Sequence, residues 1–223
     1  MLHTYVTQIA IIIMAGLGLT AQASAEDTPL SLNVTVLDNT GLPLSGFAVS
    51  LTPHVATATT TAIPEAVMDQ VNRQFSPHFL IVSKGTKVRF PNSDSIKHQV
   101  YSFSAAKRFA LLLDKDSEAE PLTFDIPGIV ELGCNVHDWM LGYIYVVDTP
   151  YFSASDDNGD SEFTVPPGQY TLSVYHPRMQ ETQEILTREL SLTTNQTVRL
   201  ALTRALLPDF SQYNFDDEFG QYE

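Results

Sequence analysis

The chain has 223 residues, and its 26 Asp and Glu residues against 12 Lys and Arg residues give a formal net charge of −14 at pH 7. A protein this acidic repels phosphate backbones, which argues against nucleic acid as a partner. The charge suits either general solubility or steering towards a basic protein partner. The length accommodates one domain or two smaller ones, with enough residues for a hydrophobic core.

The beginning of the chain has the pattern of an export signal. Residues 2–25 contain no Asp, Glu, Lys or Arg, and an apolar stretch over 9–19 leads to Ala23-Ser-Ala25. This pattern predicts a signal peptide over residues 1–25, cleaved after Ala25, and a periplasmic or secreted protein. The apolar part is short for a bilayer span, so we expect no stable membrane span after cleavage. Because the first residues carry little positive charge, an uncleaved anchor is the alternative.

The first predicted strands follow the signal. Residues 32–37 alternate apolar and polar side chains, a turn signal covers 38–41, and residues 47–51 form a second strand. Residues 56–63 are rich in Thr and Ala and end at Pro64, which predicts a linker.

Short strands separated by turn signals continue to residue 202, and this spacing predicts an all-β sandwich. Residues 65–72 fit either a helical turn or the start of a strand, and residues 105–113 predict a short helix. Residues 205–223 hold five acids and no base, which predicts a flexible acidic tail. The strands of this part are predicted at 79–83, 87–90, 98–103, 122–126, 129–133, 142–147, 162–165, 169–175 and 190–202.

The only cysteine lies in a short segment, residues 131–140, together with two other side chains that bind metals. His137 follows Cys134 by three residues, and Met140 follows His137 by three. A thiolate, an imidazole and a thioether are soft or borderline metal ligands. With one more histidine, this set holds copper for electron transfer in trigonal sites that have a weak axial Met.

His98 is the best candidate for the missing histidine. It opens a predicted strand and Cys134 ends another, so both side chains can project from the end of a sandwich. The 35 residues between them suffice for the chain to cross the sandwich and return. We expect His78 and His176 to have surface or structural roles instead.

The lone cysteine also allows readings without a metal. In an exported protein Cys134 cannot form an internal disulfide, so it is a buried thiol, half of an intermolecular disulfide, a nucleophile or a metal ligand. A nucleophile would be activated by His137 or His98. The sequence lacks a Gly-rich oxyanion signature, and acyl transfer would leave Met140 without a role.

Two segments resemble the cupredoxins, the type 1 blue copper proteins. The segments read Asn92-x-Asp94-x-x-x-His98-x-Val100 and Cys134-x-x-His137-x-x-Met140. Residues 65–152 are most similar to plastocyanin-like and amicyanin-like proteins of the methylamine utilisation group. The resemblance implies a cupredoxin Greek-key β-sandwich, one type 1 copper and one-electron transport to or from a redox partner protein.

The resemblance also implies roles for particular residues. The strong equatorial copper ligands would be His98, Cys134 and His137, and the weak axial ligand would be Met140. Asn92 matches the asparagine that braces the ligand loop through backbone hydrogen bonds. Trp139 is bulky where related loops carry other residues, which predicts that it shields or gates the copper edge. Gln99 stands where relatives often have a second histidine.

The flanks of this region resemble a different fold. Residues 30–51 and 157–175 are similar to carboxypeptidase-regulatory-like, or transthyretin-like, β-sandwiches. We therefore predict that the cupredoxin domain, residues 65–152, is inserted into a discontinuous sandwich of residues 26–56 and 153–204. A single sandwich with decorated ends is the alternative.

The sequence as a whole predicts a periplasmic copper protein that carries single electrons and is not an enzyme. Its acidic charge predicts a redox partner with a basic docking patch. One alternative is a copper storage or delivery protein with the same ligands. The other is a metal-free β-sandwich that binds a sugar or a protein.

Overall fold

The computed structural model describes residues 28–55, 65–181 and 186–209. The predicted signal peptide, the predicted linker and the predicted tail from residue 210 onwards lie outside the described residues. Within these ranges the structure has no helix long and apolar enough to cross a bilayer.

Strands and the loops that connect them make up nearly all of the described residues, with almost no helix, which confirms the all-β prediction. The seventeen strands within these ranges are β1 (Leu30–Leu37), β2 (Ala48–Pro53), β3 (Glu65–Val67), β4 (Asp69–Val71), β5 (Gln74–Ser76), β6 (Phe79–Ser83), β7 (Thr86–Arg89), β8 (His98–Ser102), β9 (Phe109–Leu113), β10 (Leu122–Phe124), β11 (Gly128–Cys134), β12 (Leu141–Val147), β13 (Tyr151–Ala154), β14 (Asp160–Val165), β15 (Gly168–Tyr175), β16 (Arg188–Leu192) and β17 (Gln196–Ala201).

One pair of sheets is built from the two ends of the described chain. The first sheet has the order β14-β1-β17 and the second has the order β13-β2-β15-β16. In β1, Leu32, Val34 and Val36 are fully buried while the residues between them are not, because successive side chains of a strand point to opposite faces. The inward faces of both sheets supply one hydrophobic core.

A second pair of sheets is built from the middle of the chain. One sheet has the order β10-β7-β3 and the other has the order β6-β12-β11-β8-β9. Val100, Leu132 and Ile144 point inwards from three adjacent strands of the larger sheet, and Phe90 and Phe124 fill the space between the sheets. This separate core supports the end of the sandwich where β8 begins and β11 ends.

A third, smaller cluster joins the two sandwiches. Its buried members Ala48, Tyr145 and Val147 come from β2 and β12. The ring of His176 stacks on Phe47 with centroids 4.6 Å apart and meets Phe79 edge-on at 5.3 Å. The contact between the sandwiches is therefore apolar and rich in aromatic side chains.

The strand order places the whole middle sandwich between β2 and β13. These two strands pair with each other, with Leu51 opposite Tyr151 and Ala48 opposite Ala154. The domain boundary predicted between residues 152 and 153 therefore falls inside β13.

The prediction of a helix over residues 105–113 is wrong. Its second half is β9, which pairs antiparallel with β8. Burial alternates along β9, with Ala110 and Leu112 exposed and Leu113 buried. Local helix propensity was outweighed by pairing with the edge of the sheet. Residues 65–72, for which a helical turn and a strand start both remained open, form β3 and β4.

Candidate metal centre

The structure brings three of the predicted ligands together. The ligand atoms of His98, Cys134 and His137 all lie within 4.8 Å of one another. The Cys134 Sγ atom is 3.5 Å from His98 Nδ1 and 3.8 Å from His137 Nδ1. The three residues are 0%, 2% and 8% exposed, respectively. A thiol and two imidazoles therefore converge on one buried point.

Strand pairing explains why the ligands meet. β8 begins at His98, and β11 ends at Cys134. The two strands are antiparallel neighbours with Cys134 opposite Val100, so the start of one and the end of the other share an edge of the sheet. Both sequence expectations, a strand opening at His98 and a strand ending at Cys134, are confirmed.

The loop between β11 and β12 carries the remaining predicted ligand. The backbone N–H of Met140 donates to the carbonyl of His137 at 3.0 Å, which closes a turn after Cys134. Met140 is 1% exposed and belongs to the same hydrophobic cluster as Cys134. The turn thus holds the thioether on the inner side of the loop. Met140 also borders a cavity of about 170 Å³ that lies towards the other sandwich.

Trp139 packs against the site from the same loop. Its ring centroid lies 5.3 Å from that of His137, and the rings of His137 and His98 lie 5.1 Å apart. The indole is partly exposed, whereas His137 behind it is buried. This position is compatible with the predicted shielding of the imidazole from solvent.

Asn92 braces a different segment from the one expected. Its side-chain Nδ2 donates to the carbonyls of Ile96 at 2.8 Å and Asp114 at 3.0 Å. Its Oδ1 accepts the backbone N–H of Asp94 at 3.0 Å. These bonds fix the turn that leads into His98, because Asn92 lies at the start of that turn. The predicted bracing therefore acts on the approach to His98 and not on the Cys134 loop.

A second pair of residues ties the Cys134 loop to β8, and the sequence analysis did not find it. The backbone N–H of Asn135 donates to the Gln99 carbonyl at 3.0 Å, and its side-chain Nδ2 donates to Gln99 Oε1 at 2.9 Å. Gln99 was interpreted only as the replacement for a histidine. The signal that was available is that both residues directly follow predicted ligands.

Asp94 also contacts a predicted ligand, although the sequence pattern alone did not indicate this contact. Its Oδ2 lies 2.8 Å from His98 Nε2, on the side of the imidazole opposite to Cys134. The residue belongs to the segment that carries the cupredoxin resemblance, where no role was assigned to it.

The surroundings of Cys134 favour its thiolate form. Burial raises the pKa of the thiol, but hydrogen bonds from His98, from the backbone at Val136 and Gln99, and from His137 outweigh burial and lower the pKa to about 6. The thiolate is the form that binds metals.

The contact with Cys134 also affects the pKa of His98. Burial lowers its pKa, while hydrogen bonds and the negative charges of Cys134 and Asp94 raise it, and the net shift is upwards. The imidazole and the thiolate therefore stabilise each other where no metal ion lies between them.

The donor set fits a single copper ion. Two imidazoles and one thiolate in a buried cluster, with a thioether from the same loop, are the ligands of trigonal sites that transfer electrons. Cys134 and Met140 belong to the apolar cluster of this sandwich, and the backbone of both ligand segments is held by hydrogen bonds within the protein.

Comparison with known proteins gives structural matches only. No family model matches the chain, and no curated protein matches it. An amicyanin mutant is 23% identical, with 44% of this chain and 99% of that chain covered and a TM-score of 0.34. A purple cupredoxin from Nitrosopumilus maritimus is 23% identical, with coverages of 38% and 99% and a TM-score of 0.33.

A third match is a Cu-containing nitrite reductase (NirK) from Thermus scotoductus SA-01. It is 21% identical, with 51% of this chain covered and a TM-score of 0.37, and the match spans 28% of that chain. The donor set of His98, Cys134 and His137 in this protein fits one copper ion.

Proposed function

We propose that this protein carries single electrons through one type 1 copper ion. His98, Cys134 and His137 are the equatorial ligands, and Met140 is the weak axial ligand. The observation that carries the proposal is the convergence of three buried donor atoms, within 4.8 Å of one another, from the ends of two paired strands. Such a set is typical of electron-transfer copper sites.

The protein's contribution is a rigid and dry cavity. When bound, the copper ion supplies one-electron redox chemistry. His98 is held by the β8 pairing and by Asp94, and the Cys134 loop is held to Gln99 by two hydrogen bonds. Ligands fixed in this way move little when the charge of the site changes by one. Low reorganisation favours electron transfer over bond-making chemistry, so we propose a carrier and not an enzyme.

The surface near the site suits a positively charged redox partner. Asp138 is exposed directly after the ligand His137, and Val136 is exposed directly before it. With a net charge of −14, the protein would attract a partner that has a basic docking patch around its own redox centre. We propose that this encounter takes place in the periplasm or outside the cell. Methylamine-linked electron transfer is the first physiological context to test, because the sequence resembles that group.

Reconstitution of the apo-protein with Cu(II) tests the proposal. We expect an intense visible thiolate-to-copper band, an EPR signal of a type 1 site and a reversible one-electron wave in voltammetry. Cys134→Ser removes the band, while Met140→Leu keeps it and raises the potential, because the axial donor is lost at nearly constant volume. Copper binding without a reversible wave would favour storage or delivery. A colourless mixture with an unchanged thiol would rule out the type 1 site.

A matched control tests whether Met140 is the thioether ligand, and a second observation separates a ligand cysteine from a nucleophile. Met179 is buried in the core of the other sandwich, away from the ligand loop, so Met179→Leu leaves the band and the potential unchanged if only Met140 contributes a thioether. A hydrolytic activity that requires Cys134 and survives metal chelation would contradict the carrier role. The 2% exposure of Cys134 argues against substrate access to the thiol.

A further inference from the structure

Asp94 contacts His98 on the side of the imidazole that faces away from Cys134. Its Oδ2 is 2.8 Å from His98 Nε2, and the carboxylate is largely buried, with a side chain that is 12% exposed. His98 is 0% exposed, so its ring has no access to water that would replace this contact. The imidazole therefore lies between a carboxylate on one side and the Cys134 sulfur on the other.

The Asp94 carboxylate is held in turn by the tip of the β4–β5 hairpin. Asp94 Oδ1 accepts the backbone N–H of Asn72 at 2.8 Å, and Oδ2 accepts the backbone N–H of Arg73 at 2.7 Å. Asn72 and Arg73 have φ angles of 52° and 58°, and they join β4 to β5 as a two-residue turn of type I′. This left-handed turn aims both amides at one acceptor, so Asp94 is fixed from three directions.

These contacts determine which nitrogen of His98 faces the metal site. An ionised carboxylate only accepts hydrogen bonds, so Nε2 carries the proton that is shared with Asp94. Nδ1, which is the atom 3.5 Å from the Cys134 sulfur, is therefore the nitrogen that faces a bound metal ion. A partner that fixes the second nitrogen of a ligand histidine orients the ring and makes it a stronger donor.

We propose that Asp94 is a positioning residue that holds Nδ1 of His98 towards the metal site and lowers the reduction potential of the copper site. Its negative charge stabilises the more positive Cu(II) form through the imidazole, an effect that a neutral acceptor would not supply. The potential rests on the proposed function, whereas the positioning of the ring does not.

The charge is tested with Asp94→Asn in the copper-loaded protein. We expect the Cu(II)/Cu(I) equilibrium to shift about tenfold towards Cu(I), which is about 59 mV for a one-electron couple. Asp138→Asn is the matched control, because it removes the same charge from an exposed residue next to the ligand His137, where water screens it. Equal potentials for the two variants would overturn the electrostatic role.

The positioning role is tested by the affinity of the apo-protein for Cu(I), measured by competition with a chromophoric chelator. We expect the affinity to fall by about 10- to 100-fold in Asp94→Ala, because His98 loses the partner that orients its ring. Asp138→Ala is the control, because it removes an exposed carboxylate next to the ligand His137. Equal affinities in Asp94→Ala and the wild type would overturn the positioning role. The affinity can be measured even if no type 1 band forms, so failure of the two proposals can be told apart.

Discussion

Cys134 is the residue on which the chemistry of the site depends, and its protonation can be observed without copper. The thiol is buried, yet the donors around it lower its pKa from 9.0 to about 6. The apo-site is therefore prepared to bind a metal at neutral pH, because the proton that competes with the metal has already left.

We predict that the thiolate ultraviolet absorbance of the apo-protein rises with a midpoint near pH 6. Because the folded pKa is below the unfolded value of 9.0, this group stabilises the folded apo-protein above pH 9, and that stabilisation is lost as the pH falls through 6. His98→Leu removes the largest stabilising hydrogen bond and should move the midpoint upwards. A midpoint that remains near 6 in a folded His98→Leu variant would contradict this account.

At the scale of single strands, glycines set how closely neighbours approach. A Cβ atom on Gly142 would lie 2.9 Å from the Cβ of Phe75 and 2.8 Å from its ring. A Cβ atom on Gly133 would lie 2.7 Å from the outer end of the Tyr101 ring. Phe75 is buried with a fixed Cβ, whereas Tyr101 is partly exposed and its ring can turn aside.

We predict that Gly142→Ala destabilises the protein by about 2 kcal/mol and that Gly133→Ala costs less, because overpacking is expensive where the neighbour cannot move. Chemical denaturation of both apo-variants measures the difference. The two glycines lie one residue apart in register across β11 and β12, so each is the control for the other. A larger loss for Gly133→Ala would show that the Tyr101 ring is more tightly held than its exposure indicates.

The elements that the sequence predicted best are those with strong local patterns. Strands at His98 and Cys134 follow from alternating apolar residues and turn signals, and the order of ligands follows from spacing. β9 was missed because Ala110–Leu113 favours a helix locally, and only pairing with β8 makes it a strand.

The contacts of the site were harder to predict than its ligands. Asp94 and the tip at Asn72 are 22 residues apart in sequence, and nothing local shows that they meet. Gln99 and Asn135 are 36 residues apart and meet only because β8 and β11 pair. Long-range hydrogen bonds of this kind depend on register, which single-sequence patterns do not give.

At the scale of the whole molecule, His176 lies in the contact between the sandwiches. Burial is the main cause that lowers its pKa to about 4, and the positive charge of Arg178 adds to it. The ring stacks on Phe47 of one sandwich and meets Phe79 of the other. A charged imidazole in this position would lie against apolar rings that hydrate it poorly.

We predict that acidification from pH 6.5 to pH 4 destabilises the protein partly through His176. The unfolded state binds the proton in this window and the folded state does not, so stability falls as the pH falls. Replacing the ring with His176→Phe keeps the stacking and should flatten the pH dependence of the unfolding free energy by about 2 kcal/mol. Thermal or urea unfolding at both pH values checks this, and identical pH dependences in the two proteins would contradict it.

The inserted-domain hypothesis also belongs to this scale. The separate cores and the strand order favour it, because no sheet combines strands from both sandwiches. We predict that proteolysis near residues 56–64 and 148–150 frees a folded fragment that still binds copper, as measured by its visible spectrum. Tyr145 and Val147 are buried in the full chain and would become exposed in the released fragment, which should make it less soluble than the full chain. An all-or-none digest would contradict independent folding.

The pairing of β2 with β13 determines how the sandwich with the copper site could be transferred to another protein. Leu51 and Tyr151 are directly opposite each other, so the points where the chain leaves and re-enters the outer sandwich are a few ångströms apart. Joining them by a short turn would make an ordinary hairpin and leave every other strand pair of that sandwich in place. The middle sandwich is therefore attached at the position of a single hairpin turn, and the same kind of turn is a natural place to graft it onto another carrier protein.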